Sequence, residues 1–223
     1  MGSTLEICGS IPAIINNATG RYEGNLVSYF RSVFNRAENL CNPYHNFRHM
    51  CHVLWLCYNA CMFYDTTLTK REVRTLLIAA LFHDFDHTGV PGPDAANIER
   101  AIAGLKQHLA PEDAGEFENI AELIKATEFP HTSPSEAVGL SGQILRDADL
   151  SQALSVAWIQ QVVFGLATEW GKTPLEVLKL QGPFHKNLKF STEWAKAKFP
   201  APIIEEKIAE AAELVALLTG TET

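Results

Sequence analysis

Two short runs in this chain carry residues whose types and spacing could do chemistry together. In Tyr44-His45-Asn46-Phe47-Arg48-His49 two histidines stand four apart, and in Phe82-His83-Asp84-Phe85-Asp86-His87 an imidazole and a carboxylate are adjacent. Residues four apart on a helix share a face one turn from each other. The first run therefore offers imidazoles from one direction, and His83-Asp84, at the end of a second helix, adds a nitrogen and an oxygen from another. Mixed donors of this kind suit a borderline-to-hard divalent ion used for hydrolysis. A third run, Arg146-Asp147-Ala148-Asp149-Leu150-Ser151, adds carboxylates. On a helix Asp147 and Asp149 point about 200° apart, so one of the two can face a shared site. His52, His108 and His185 have no such partners in sequence and read as ordinary hydrogen-bonded side chains.

These residues need elements to hold them, and the hydrophobic pattern is helical nearly throughout. It predicts an all-α fold of about eight helices, over residues 22–40, 46–64, 70–86, 94–109, 113–128, 135–149, 151–169 and 202–219. Pro and Gly clusters at 89–93, 129–134 and 181–183 mark joints. The run Thr75 to Phe82 is apolar all round, which predicts a central helix buried on every side. It would deliver His83 and Asp84 into the middle of the protein, where a carboxylate is costly unless paired or metal-bound.

At 223 residues and 47% hydrophobic content the chain can bury one sizeable core, so residues 1–223 are expected to form a single domain. The net charge of −8 argues against non-specific nucleic-acid or anionic-membrane partners. A small phosphorylated substrate stays compatible with it, because a bound cation reverses the local field. Five cysteines, Cys8, Cys41, Cys51, Cys57 and Cys61, form no C-x-x-C pair. They read as reduced, buried small hydrophobes of a cytoplasmic protein. Residues 5–15 are the one stretch resembling a leader, but they lack a basic start and are broken by Gly9 and Pro12. No run is long enough to span a bilayer.

The order H, then HD, then D resembles the HD superfamily of metal-dependent phosphohydrolases. More narrowly, Tyr44-His45-Asn46-x-x-His49 is similar to the Y-H-N-x-x-H box of the cyclic nucleotide phosphodiesterases. His83-Asp84-x-Asp86-His87-x-Gly89-Val90 resembles their H-D-x-D-H-P-G-V box with Thr88 in place of proline, and Ala148-Asp149-Leu150-Ser151 resembles their A-D-L-S box. The similarity covers residues 43 to 151, leaving helix 22–40 and helices 151–219 to pack on that core. The resemblance implies that His49, His83, Asp84 and Asp149 bind a tight ion (Zn, Mn or Fe). Asp84 would also reach a weaker Mg or Mn, with a hydroxide between the two. It implies that His45 protonates the leaving oxygen and that His87 supports the site. Gln181 and Phe184 have the three-residue spacing of the family's base-binding pair, though in a loop-like Gly-Pro context.

Asn97-Ile98-Glu99 and Ala126-Thr127-Glu128-Phe129-Pro130-His131 echo motifs of short bacterial HD phosphohydrolases. Glu99 and His131, with Glu128 and His108, are thereby marked for a second metal or its surroundings. The expected function is hydrolysis of a phosphoester, in a nucleotide, by a metal-activated hydroxide. Two alternatives are a diiron HD oxygenase acting on a small substrate and a non-catalytic nucleotide-binding HD domain.

Overall fold

The computed structural model describes residues 4–131 and 133–220, with side chains from Gly9 onward. Its helices are α1 (Thr4–Ile15), α2 (Val27–Arg36), α3 (Phe47–Phe63), α4 (Lys70–Phe82), α5 (Ala95–His108), α6 (Phe117–Lys125), α7 (Gly139–Leu150), α8 (Phe164–Glu169), α9 (Pro174–Asn187), α10 (Glu193–Lys198) and α11 (Ala201–Thr219). The described residues contain no strand, so the all-α expectation holds. Among them no single helix is long and apolar enough to cross a membrane.

Helix α4 is the axis of the molecule. Thr69 and Glu72 close a capping box at its start, which satisfies otherwise orphaned backbone donors. From Val73 to Phe82 every residue is buried, because α2, α3, α5, α6 and α7 all pack on it. A helix apolar around its full circumference has no face to show water, and here it shows none. Its last residue hands the chain to His83 and Asp84 in the interior.

A second apolar cluster lies apart from this core. Trp158, Val162, Val163, Leu166, Val177, Leu178 and Ala211 pack together where α8, α9 and α11 meet. Gly165 on α8 lets this layer approach the His45 segment, since a Cβ there would stand 2.9 Å from Pro43 O.

The structure departs from the sequence expectations at several elements. The first predicted helix shrinks to α2, and 151–169 breaks into a 3₁₀ turn (Ser151–Leu154), a π-helical turn (Ile159–Val163) and α8. Residues 181–183, expected as a joint, lie inside α9. Thr173-Pro174-Leu175-Glu176 starts that helix with a capping box and a proline at its first position. Pro183 is tolerated because it and Lys179, whose carbonyl loses its donor, both face solvent. Neither α1 nor α10 was expected, and Ile11, Ile14 and Ile15 of the leader-like stretch are part of the main core. Of the cysteines, Cys57 and Cys61 are buried as expected, whereas Cys51 is half-buried and Cys41 exposed. The side chain of Cys8 lies outside the described residues.

Candidate metal centre and its cavity

Helix α3 begins at Phe47, not before His45. Asn46 caps it, its Oδ1 accepting from the amides of Arg48 and His49 at 2.9 and 3.1 Å. His49 therefore sits in the first turn of the helix, and His45 sits outside it in a tight bend, where Asn46 N donates to Tyr44 O at 2.8 Å. The two histidines do not share a helical face, which corrects the simple spacing argument.

His49, His83 and Asp149 each aim one donor atom within 4.8 Å of the others. His49 Nε2 lies 2.9 Å from Asp149 Oδ1 and 3.3 Å from His83 Nε2. Asp84 Oδ2 joins them, 3.3 Å from His49 Nε2 and 3.4 Å from His83 Nε2. Both tautomers are set from behind. His49 Nδ1 donates to Gln152 Oε1 at 2.7 Å and His83 Nδ1 donates to Ala80 O at 2.9 Å, so each Nε2 presents a lone pair inward.

The donors fit an ion. Adjacent ligands on bonds of about 2.0–2.2 Å stand roughly 2.9–3.6 Å apart for octahedral through tetrahedral angles, and the observed separations run from 2.9 to 3.6 Å. Asp84 Oδ2 is buried and finds no hydrogen-bond donor among the described residues. The electrostatics agree. Burial pulls His83 down, but Asp84 and Asp149 outweigh it and carry its pKa up to about 9. Burial raises both carboxylates, yet the facing imidazoles hold them below the usual range. Two anions facing two imidazoles call for positive charge, which a proton on His83 Nε2 supplies when no ion is bound.

Beside this cluster lies a pair of stacked imidazoles. The rings of His45 and His87 are 3.7 Å apart and 21° from parallel. His45 Nδ1 donates to Glu169 Oε2 at 2.7 Å, while Glu169 Oε1 accepts from the backbone amides of Tyr44 and His45, both at 2.8 Å. Burial lowers the His45 pKa, but Glu169, then Asp84, raise it above the ordinary value. His87 is held low by burial and by the His45 charge against it, despite Asp84. One ring of the stack is thus tuned to carry a proton and the other to stay neutral.

Asn39 ties the parts together from 2% exposure. Its Nδ2 donates to His45 O and Asp84 O, both at 2.8 Å, and its Oδ1 accepts from Asp86 N at 3.0 Å. Asp86 turns the loop with a φ of 59°. Asp147, the carboxylate that the A-D-L-S resemblance leaves aside, faces away and accepts from Ser191 N and from Thr192 N and Oγ1.

The cluster opens on a cavity of about 490 Å³. His45 and His87 line it, and so do Gln181 and Phe184, from helix rather than loop. Gln181 is 5% exposed and its Oε1 has no hydrogen-bond partner among the described residues. His131, Glu99, Glu128 and His108 are not among the lining residues. Glu99 is exposed, and His131 Nδ1 donates to Glu128 O at 3.1 Å.

With this geometry in place, one comparison bears on it. Residues 44–105 match the family of 3'5'-cyclic nucleotide phosphodiesterases. The match, over 62 of the 223 residues, supports a phosphodiesterase-like HD catalytic core. That core supports a metal-dependent phosphoester hydrolase of the phosphodiesterase type in general. The matched stretch contains His45, His49, His83, Asp84 and His87 but ends before Asp149 and the whole α8–α11 layer. No curated protein matches the chain.

The residues that sequence reasoning missed lie mostly outside the phosphodiesterase-like core. Glu169 is 124 residues from His45, and no local pattern connects them. Gln152 follows the A-D-L-S run directly, a proximity that could have flagged it. Asn39, with Asn42 and Asn46, forms a run of asparagines whose side chains clasp the loop before α3 and the HD loop, and that clustering was the available signal.

Proposed function

We propose that this protein hydrolyses a phosphoester bond in a nucleotide and that the whole chain forms one HD domain. His49, His83, Asp84 and Asp149 would hold the tight ion, Zn, Mn or Fe, with Asp84 also reaching a weaker Mg or Mn. What divalent ions supply in such a donor set is nucleophile activation at neutral pH and charge neutralisation on the phosphoryl oxygens. His45, held protonated by Glu169, gives its Nε2 proton to the leaving oxygen. Through its hydrogen bonds to two backbone amides and the ring, Glu169 fixes the acid's tautomer and direction. Gln181 recognises the base edge through its Oε1, which has no partner among the described residues, while its Nε2 makes a long bond to Val177 O, and Phe184 packs against the base.

The observation that carries this reading is the placement of the four-donor cluster and the His45–Glu169 pair on one cavity with Gln181. An oxygenase retaining two irons would need more protein ligands, and Glu99 and His131 are not in the cavity. A binding module would have no need of a tuned acid beside the donors.

The test is hydrolysis of bis-p-nitrophenyl phosphate and a nucleotide panel after metal loading, with Gln181→Ala in parallel. The variant should raise KM for nucleotides roughly tenfold while its rate on bis-p-nitrophenyl phosphate stays near wild type. An equal loss on both would remove Gln181 from base recognition, and inert wild-type protein with full metal would end the hydrolase reading.

A further inference from the structure

Lys172 is the only lysine or arginine among the residues lining the cavity. It forms no ion pair or side-chain hydrogen bond among the described residues, and the charge it influences is the exposed Glu176 at the start of α9. Its place is fixed by the chain. Glu169 ends α8, Trp170 caps it, and the amide of Lys172 donates to Ala167 O at 2.9 Å. Trp170 follows Glu169 directly and Lys172, itself exposed, is three residues from it, so both cavity-lining side chains belong to the stretch of chain through which Glu169 holds His45. Gln181 stands roughly 10 Å further along, seven residues into α9 from Pro174. Trp170 also lines the cavity and is only half-buried, which leaves ring surface for stacking.

The acid's end is the leaving-group end. A cyclic mononucleotide brings only its own ribose oxygen there, and a nucleoside monophosphate brings a nucleoside but no further phosphate for Lys172. We propose that Trp170 and Lys172 form a second subsite, for the nucleoside and terminal phosphate of the leaving group. The preferred substrate is then a linear dinucleotide phosphodiester carrying a 5′-phosphate. This rests on the phosphohydrolase reading and on His45 as its acid. Water oxygen bonds the scissile phosphorus, the bond to the leaving 3′-oxygen breaks, and His45 protonates that oxygen. The proton lost by the water restores His45 over the cycle. One water and one 5′-phosphorylated dinucleotide give two nucleoside 5′-monophosphates. Base stacking on an aromatic ring tolerates any base, and one lysine facing a phosphate favours the charged leaving group.

The experiment compares metal-loaded wild type, Lys172→Met and Lys172→Arg on a linear dinucleotide with and without its 5′-phosphate. Bis-p-nitrophenyl phosphate and 3′,5′-cyclic AMP serve as references. Wild type should show a kcat/KM ratio, with phosphate over without, of roughly five, in line with a partly exposed charge pair. The ratio should sit in KM, shrink with added salt, fall to about one in Lys172→Met and recover in Lys172→Arg. Because the ratio is taken within one protein, a partly folded variant does not blur it. A wild-type ratio of one, an unchanged ratio in Lys172→Met, or faster turnover of the cyclic nucleotide than of either dinucleotide would overturn the subsite. Dinucleotides inert while bis-p-nitrophenyl phosphate turns over would sink this proposal alone. Failure on all four substrates would sink the hydrolase reading with it.

Discussion

Arg74 and His83 sit roughly 13 Å apart along the same helix, and each is the centre of a buried ionic cluster. At the Arg74 end, Asp113 accepts from Arg74 Nε at 2.8 Å and Nη2 at 2.6 Å, from Tyr29 OH at 2.6 Å and from Arg71 Nη1 at 3.1 Å. The remaining donors of Arg74 reach Glu23 O and Asn25 O. Every buried polar atom there has a partner. At the His83 end, two carboxylates face two inward lone pairs and Asp84 Oδ2 is left over. The closed cluster can only stabilise, while the open one has affinity to spare for a cation. Satisfaction, rather than burial or charge, separates the structural cluster from the functional one.

The sharpest way to break this contrast is at the open end. Asp84→Ala and Asp149→Ala should each lose the tight ion and fall to background activity, read by elemental analysis and hydrolysis of bis-p-nitrophenyl phosphate. Asp147→Ala, two residues from a donor, should keep both and lose only stability. Retained metal in Asp149→Ala would reverse the choice of carboxylate.

A smaller effect is expected one layer out. His45→Ala and Glu169→Gln should keep the ion and lose about 10²- to 10⁴-fold in turnover on substrates with alkoxide leaving groups. The loss should be far smaller for p-nitrophenolate, which needs little protonation. Equal losses on both leaving groups would make His45 structural or a ligand.

The closed end should behave oppositely. Arg74→Met leaves Asp113 buried and underpaired, which costs roughly 3–5 kcal/mol by analogy with other broken buried pairs. Metal content and kcat per folded molecule should not move, a result checked by melting curves beside single-turnover rates. A fall in kcat with full folding would mean that α4 transmits strain between its ends.

The smallest effect concerns acid stability. Burial raises the Asp113 pKa, but Arg74 and Tyr29 outweigh it and hold it below the ordinary value. A depressed folded pKa stabilises fully above the unfolded value, about 3.9, and the gain is lost as pH falls through the folded pKa. In Asp113→Asn the melting temperature should therefore depend less on pH below about 4. An unchanged acid limb would assign it to other carboxylates.

What could be read from the sequence divides along the same line. The four donors stood out because each lies beside another chemistry-bearing residue within a few positions, and the apolar run before His83 announced a buried helix. The closed cluster could not be read, since Tyr29, Arg74 and Asp113 are each ordinary residues whose meeting depends on packing between distant elements. Glu169 was invisible for the same reason. Helix α9 was misread because Gly182-Pro183 outweighed the stronger signal of Thr173 and Glu176 at its start. Spacing alone puts His45 on the helix, but Asn46 is a cap and the helix starts after it.

Gly165 shows what such fits demand of sequence variation. In an ordinary helix, replacing glycine by alanine gains about 0.5–1 kcal/mol. At this position the new methyl group would meet Pro43 O at 2.9 Å and Tyr44 Cβ at 3.1 Å. Backbone there cannot rotate away as a side chain would, so the segment bearing His45 would have to shift. The protein gives up local helix stability to bring α8 close enough for Glu169 to reach His45. A drift toward better helix formers at this silent-looking site would thus disturb the His45–Glu169 pair while leaving every side chain of the site unchanged.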